Sequence, residues 1–152
     1  MNSIMYKKSD NLDLELLISV RLEMLRVVNN LSDEYVYDDV LVTESRKYFE
    51  SGDQTTVLAF DGENVVGCAS MSYIWIMPTF SHPTGKRGHL MNVYTREDHR
   101  GQGIAKKMVK MLIDEAKEKG CTEISLDATE MGRPLYESLG FTASESAMAM
   151  NL

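Results

Sequence analysis

The sequence predicts a mixed α/β fold, organised as a single domain over residues 1–152. Its 152 residues are close to the usual size of one domain, and 43% hydrophobic with 26% charged residues is an ordinary globular composition. Along the chain, the spacing of apolar residues changes repeatedly between the period of a helix and the period of a strand. No repeat, low-complexity tract or linker interrupts this pattern, so no second domain is expected.

The N-terminal third predicts one strand and two helices. Residues 4–8 have a weak strand pattern. After a group of cap candidates at 9–11, apolar residues recur at helical spacing as far as Leu31, which predicts one long amphipathic helix. A shorter helix is predicted around residues 44–51, and Gly52 ends it.

The middle of the chain predicts strands. Residues 55–60 and 65–77 are rich in β-branched and aromatic side chains and flank a short turn at 61–64, which favours two antiparallel strands. The prolines and glycine of residues 78–86 cannot continue a sheet, so a loop is expected there. Another strand is predicted at about 88–95.

The last third contains the clearest helical pattern, at residues 104–119, where an apolar stripe opposes a charged face. Gly120 ends this helix. A strand at 123–128 and a short helix at 129–139 are predicted next. The apolar residues after Phe141 predict a final strand.

Composition excludes several classes of protein. Sixteen basic against twenty-three acidic residues give a net charge of -7 and make nucleic acid an unsuitable partner, whereas the overall field favours a cationic substrate. Cys68 and Cys121 lack the spacing of a metal site or a disulfide framework. No signal peptide or apolar run of membrane-spanning length is present, so the expected location is the cytoplasm, with no membrane partner.

One short segment suggests an anion-binding loop. Residues 99–105, between a predicted strand and the clearest helix, place small residues at Gly101, Gly103 and Ala105. Small residues allow close approach of a ligand to the backbone, and the helix start offers unpaired N–H groups. A turn that merely needs flexibility would have the same pattern, and the segment is neither a Walker loop nor a Rossmann fingerprint.

Together with its surroundings, this loop resembles that of the GNAT N-acetyltransferase superfamily, whose acetyl-CoA loop has the pattern Arg/Gln-x-x-Gly-x-Gly/Ala. Arg100, Gly103 and Ala105 fill that pattern. The linked features occur in the order of the family: the strand at 90–94, the loop, the long helix, the strand at 124–128 and the segment at 132–141.

The resemblance implies a fold and a co-substrate. The fold would be a central, mostly antiparallel sheet of about six to seven strands, flanked by about four helices and splayed at the acetyl-CoA site. Acetyl-CoA would be the donor, without a metal. Its pantetheine arm would lie along Asn92, Val93 and Tyr94, and the amide near Val93 would polarise the thioester. Backbone amides of the loop would hold the pyrophosphate: those of Arg100, Gly101, Gln102, Gly103, Ile104 and Ala105.

Tyr136 is the candidate catalytic residue. It occupies the position where many members of the family place a tyrosine that protonates the departing CoA thiolate. A phenol can do so only if it is held within hydrogen-bond reach of the sulfur. The alternative is a tyrosine packed beside Leu135 and Leu139 on a short helix.

The general base is not identified. Family members often place a glutamate on the strand before the loop, but this sequence has Leu90, Met91 and Asn92 there. His89 is the nearest ionisable residue, and a lone histidine at a strand start is more often structural. A water relay, or an acceptor that is already partly deprotonated, would also serve. His82 is a weaker candidate of the same kind, and His99 is better explained as a loop residue.

The acceptor is expected to be a small-molecule or peptide amine. The resemblance places its site at residues 33–39, 70–77 and 78–86, where the first segment combines acidic and tyrosine side chains suited to a cationic amine. A solvated acidic loop would look the same. The leading hypothesis is direct acetyl transfer to a primary amine in a ternary complex. A non-catalytic acyl-CoA sensor and a ligand-free interaction domain are the alternatives, and a homodimer stays open.

Overall fold

A computed structural model, which describes residues 3–152, contains one five-stranded sheet with neighbour order β1-β2-β3-β4-β5. The first four strands pair antiparallel, and β4 and β5 pair parallel. This confirms a mostly antiparallel sheet. The strands are β1 (Ile4–Lys8), β2 (Gln54–Asp61), β3 (Asn64–Trp75), β4 (Lys86–Thr95) and β5 (Glu123–Ser125).

In the described residues four α-helices accompany the sheet, as predicted. They are α1 (Leu14–Val28), α2 (Asp39–Ser51), α3 (Ile104–Glu118) and α4 (Arg133–Ser138). None of the helices in residues 3–152 is long and apolar enough to cross a membrane.

Each face of the sheet has its own core, because side chains alternate along a strand. On one face α3 buries Ile104, Met108 and Leu112 against Val57 and Met71 of the sheet. The opposite face buries residues of α1 and α2 against other strand residues, in a cluster made of Leu17, Ile18, Val20, Phe49, Leu58, Val65, Cys68 and Tyr94. The sheet is therefore a middle layer, with α1 and α2 on one side and α3 on the other.

The strands β4 and β5 separate soon after they begin. They pair only from Arg87 with Glu123 to His89 with Ser125. From Leu90 onward, β4 has no strand partner on that side in the described part of the chain. The expected splay is confirmed, and it opens the backbone of β4 toward the loop that follows Thr95.

The number of strands is slightly smaller than the six to seven expected. No strand forms after Phe141 within residues 3–152, and β5 stops at Ser125 instead of reaching 128. The tail from 147 to 152 contains alanine, methionine, asparagine and leucine but no β-branched residue, so its strand propensity is low. Its apolar composition alone does not supply a pairing partner.

Helix boundaries differ from the prediction in three places. The α1 helix ends at Val28 instead of Leu31, and α4 is limited to Arg133–Ser138 instead of 129–139. The α2 helix begins at Asp39 instead of about residue 44, because the Asp38 side chain accepts a hydrogen bond from the Val40 amide and caps the helix there.

Candidate active site

The loop between β4 and α3 has the geometry of an anion cradle. Gly101 and Gly103 have φ angles of +79° and +76°, which glycine adopts readily and other residues rarely do. A Cβ atom added at either position would meet no atom within 4 Å, so the space beside both Cα atoms is open to a ligand. No side chain caps the start of α3, so its first N–H groups stay available to a ligand. These features fit a pyrophosphate group.

The other residues of this loop differ in what they can offer a ligand. Ile104 is buried in the core, so only its backbone can serve a ligand. Gln102 is exposed and Ala105 is half-buried at the helix start. The Arg100 side chain folds back, and its Nε donates to the Thr95 carbonyl over 3.1 Å. The loop therefore presents backbone amides more than side chains.

Ion pairs of Arg96 and His99 fix the segment that leads into this loop. Arg96 donates from Nη2 and Nε to the Glu23 carboxylate on α1, at 2.8 and 3.0 Å. These bonds from Arg96 oppose burial and hold the pKa of Glu23 below its usual value. His99 lies 2.9 Å from Asp61 at the end of β2 and 2.7 Å from Asp98. His99 is thus a structural loop residue, in agreement with the prediction.

A β-bulge interrupts β4 just where the strand has lost contact with β5. Cys68 faces Tyr94 and Ser70 faces Met91, so Asn92 and Val93 together lie opposite the single residue Ala69. Asn92 has a φ angle of +58°, which places it in the left-handed region. A bulge leaves its extra residue outside the regular ladder, which frees backbone groups to bind a ligand.

The Asn92 side chain is held from two sides. Arg21 of α1 donates from Nη1 to Asn92 Oδ1 over 3.2 Å, and Asn92 Nδ2 donates to Ser70 Oγ over 3.2 Å. The Ser70 hydroxyl lies 2.6 Å from that of Thr56 on β2. Asn92 is only 8% exposed, so this network fixes the bulge in a protected place.

Tyr94, which was predicted with Asn92 and Val93 to line the donor site, turns its side chain away from the splay. It is buried with α1 residues, and burial together with a hydrogen bond to Glu23 raises the pKa of Tyr94 to about 12. Its side chain therefore supports the fold, and only its backbone is available to a ligand.

Tyr136 lies on α4, half-buried against the core that α3 forms with the sheet. Its ring packs edge-on against Phe141, with centroids 5.9 Å apart, and closely over Gly132. Within residues 3–152 its hydroxyl makes no hydrogen bond, and burial raises the pKa of the phenol. The phenol is therefore neutral, and none of the described residues accepts a hydrogen bond from it.

The other two histidines are held by β5 and the residues around it. His89 Nδ1 lies 2.7 Å from the Ser125 hydroxyl, and Nε2 lies 3.8 Å from the Asp127 carboxylate. His82 bonds to Thr122 over 2.9 Å at the start of β5. Arg87, which pairs with Glu123 at the start of β5, lies about 16 Å along β4 from the bulge. His82 is thus remote from the bulge, and His89 is closer to it.

The cysteines do not have the features of nucleophiles. Cys68 is 1% exposed, donates a hydrogen bond to the Asn92 carbonyl, and has its pKa raised by burial to about 12. Burial also raises the pKa of the Cys121 thiol. In the part of the chain that the structure describes, no three His, Cys, Asp or Glu residues form a group suited to a metal.

A cavity of about 240 Å³ lies on the α1 and α2 side of the bulge. Sequence reasoning missed its polar residues on the helices. Arg21 interrupts the apolar face of α1 between Val20 and Met24, and that interruption is a signal that could have identified it. The lining consists of Arg21, Leu41, Glu44, Ser45, Tyr48, Phe49, Ser70, Met91 and Asn92.

The acidic segment at 33–39 contributes to the structure near this cavity but does not line it. Asp33 pairs with Arg26 at 2.7 Å, and Asp38 caps α2. The Tyr37 hydroxyl donates to the Leu22 carbonyl over 2.5 Å. Of the other two segments expected to bind the acceptor, 70–77 provides Ser70, whereas 78–86 lies at the other end of the sheet beside a separate cavity.

Comparison with known proteins agrees with this geometry. The Acetyltransferase (GNAT) family matches residues 22–141. Glucosamine 6-phosphate N-acetyltransferase of Trypanosoma brucei brucei is 35% identical over 88 residues, which cover 58% of this chain and 58% of that protein. Thialysine N-epsilon-acetyltransferase of Bos taurus is 26% identical over 129 residues, covering 77% of this chain and 75% of the relative.

A solved structure extends the similarity over nearly the whole chain. A "predicted acetyltransferase" of Clostridium acetobutylicum, crystallised with acetyl-CoA, superposes with a TM-score of 0.85 at 29% identity. The match covers 98% of this chain and 96% of the other. The chain therefore belongs to the GNAT family, a family of acetyltransferases that use acetyl-CoA as the acetyl donor.

Proposed function

We propose that residues 1–152 form one N-acetyltransferase domain that moves the acetyl group of acetyl-CoA to a small primary amine by direct attack in a ternary complex. The observation that carries the proposal is the position of the β4 bulge. It lies on the part of β4 that has no strand partner on the β5 side within residues 3–152, between the glycine loop and the 240 Å³ cavity. Donor and acceptor would meet there from opposite sides.

The backbone supports binding of the donor. Amides at Gly101, Gly103 and the start of α3 would hold the pyrophosphate through hydrogen bonds and the positive end of the helix dipole. The extended backbone at Val93 would bind the pantetheine arm. An amide freed by the bulge would donate to the thioester oxygen as negative charge develops on it during attack.

Tyr136 supports the departure of CoA. When the amine nitrogen forms a bond to the carbonyl carbon, the C–S bond breaks and the sulfur leaves as a thiolate. The phenol of Tyr136 would give its proton to that sulfur, because no residue among 3–152 accepts a hydrogen bond from the hydroxyl and the raised pKa keeps it protonated at neutral pH.

The amine must lose a proton for direct attack, and β4 has no carboxylate that could take it. The strand Lys86–Thr95 contains no Asp or Glu, and His89 is its one histidine. His89 lies two residues before Met91, on the same side of the strand, at about 7 Å along it from the cavity wall. The proton would pass to His89, to Glu44, whose side chain lines the cavity, or through water to solvent.

Release of free CoA thiol tests the proposal. The acceptor panel contains glucosamine 6-phosphate and thialysine, the compounds in the names of two relatives. Each is paired with its counterpart without the anionic group, glucosamine or bis(2-aminoethyl) sulfide. We expect amine-dependent thiol release and a higher melting temperature with acetyl-CoA. A thermal shift without release from any amine, including spermidine and a peptide N-terminus, would contradict the proposed transfer.

A further inference from the structure

Arg21 has an unusual environment for a charged residue. Its side chain is more than half-buried at the wall of the 240 Å³ cavity, and burial lowers the pKa of its guanidinium. Within residues 3–152 no carboxylate lies at ion-pair distance from it, whereas Glu23 on the same helix is paired with Arg96. Partial burial of a cation without a counter-ion is unfavourable, and an anionic ligand would offset that cost.

The hydrogen bonds of Arg21 show which side of the guanidinium is available. Both described bonds use Nη1, one to Asn92 Oδ1 at 3.2 Å and one to Met24 Sδ at 3.4 Å. Nε and Nη2 bond to no residue of the described chain, and both nitrogens are accessible rather than buried. These two nitrogens form the edge with which arginine binds two oxygens of a carboxylate or phosphate at once.

The cavity has room for a small molecule, and apolar side chains such as Leu41 and Phe49 share its lining with Arg21 and Glu44. Its volume is below the roughly 300 to 1,000 Å³ of pockets that hold drug-sized ligands. Asn92 and Met91 of the bulged strand form one wall, and Arg21 reaches the same space from α1. An acceptor in this cavity could therefore place one end at the bulge and another end on the guanidinium.

We propose that the acceptor is a small amine that also carries an oxyanion group, a carboxylate or a phosphate, and that Arg21 binds that group. This inference rests on the proposed function, since it names the class of acceptor for the same site. It also reconciles the site with the net charge of -7, because the amine end is cationic while the anionic end meets a local positive charge.

The test measures binding in the absence of turnover. Isothermal titration of the protein saturated with CoA gives the Kd of each member of the two acceptor pairs, glucosamine 6-phosphate with glucosamine and thialysine with bis(2-aminoethyl) sulfide. For at least one pair we expect the anionic member to bind 10- to 100-fold more tightly, the range for a charged hydrogen bond. The pair that shows the preference distinguishes phosphate from carboxylate.

Two variants assign the preference to Arg21. Arg21→Gln keeps an amide donor near Asn92 but removes the charge, and we expect the preference to fall below about 3-fold. Arg46→Gln is the matched control, because Arg46 lies on α2, pairs with Glu15 at 2.5 Å and does not line the cavity. Arg21→Lys, which keeps the charge without the planar fork, should retain part of the preference, and it replaces Arg21→Gln if the latter does not fold.

Three results overturn the inference: equal binding of both members of both pairs, no measurable binding of either anionic member, or an undiminished preference in Arg21→Gln. Failure of the proposed function looks different. In that case the anionic preference is present in the titration, but no amine releases thiol from acetyl-CoA.

Discussion

Arg21 and Asn92 lie 71 positions apart in the chain, and a hydrogen bond of 3.2 Å joins Arg21 Nη1 to Asn92 Oδ1. The bond connects α1, which contributes Arg21 to the wall of the 240 Å³ cavity, to the bulge of β4. Asn92 in turn bonds to Ser70 on β3. These two bonds therefore join α1 and β3 to the bulge, where the thioester would bind.

Replacement of Asn92 should separate its backbone role from its side-chain role. Asn92→Ala and Asn92→Gly both remove the bonds to Arg21 and Ser70, which we expect to destabilise the protein by about 1 to 3 kcal/mol. Alanine also strains the φ angle of +58°, so Asn92→Ala should be less stable than Asn92→Gly by about 1 kcal/mol. Urea unfolding measures both values, and equal stability of the two variants would show that the bulge relaxes.

Gly103→Val should abolish the thermal shift caused by acetyl-CoA. Its added Cβ meets no protein atom, so steric conflict with the fold is absent, but the side chain would occupy the space in front of the amides. The φ angle of +76° would also strain a β-branched residue.

Gly120→Val is the matched control for this change. Gly120 follows the other end of α3, has a φ angle of +81° and also faces open space. Both variants should lose similar stability, but only Gly103→Val should lose the response to acetyl-CoA. An equal thermal shift in the two variants would show that the glycine loop is not part of the donor site.

Tyr136→Phe should lower kcat by roughly 10² to 10⁴ while acetyl-CoA affinity stays nearly constant, because a positioned acid acts mainly in the transition state. Phenylalanine keeps the ring that packs against Phe141 and over Gly132. Single-turnover rates at saturating amine isolate the chemical step from product release.

Tyr6→Phe provides the comparison for Tyr136→Phe. Tyr6 packs against the same core, its pKa is also raised by burial, and its hydroxyl has no hydrogen bond within residues 3–152. It lies on β1, at the opposite edge of the sheet from β5. A normal single-turnover rate in folded Tyr136→Phe would make Tyr136 a packing residue.

The pH dependence of stability should report on His99. Hydrogen bonds to Asp61 and Asp98 raise the pKa of His99 above 6.5. The protonated imidazole therefore stabilises the folded state fully below pH 6.5, and this contribution is lost as the pH rises through the raised value. The wild-type protein should have a higher urea midpoint than His99→Gln below pH 6.5, and this difference should shrink as the pH rises. A difference that grows with pH would contradict the assignment.

The sequence was most informative where one local pattern determined one element. The apolar stripe from Ile104 and the stop at Gly120 predicted α3, and the small residues before it predicted the open loop. Their conformations depend on neighbours in the chain, so a local reading was sufficient.

The 240 Å³ cavity could not be predicted in the same way, because its residues meet only in three dimensions. Arg21, Tyr48 and Asn92 come from three different elements. The expectation of a strand after Phe141 was wrong because it rested on a local apolar run. A strand also needs a neighbouring strand to pair with, which a local pattern does not reveal.

Transfer of a labelled acetyl group tests the central claim most directly. The protein is mixed with acetyl-CoA labelled with ¹³C in the acetyl group and with the best amine of the panel, and both amine and protein are then examined by mass spectrometry. Direct attack at the bulge predicts one labelled acetyl group on the amine nitrogen for each CoA thiol released and no label on the protein. Release of CoA thiol would contradict direct attack if the amine then carries no label, or if label is retained on the protein.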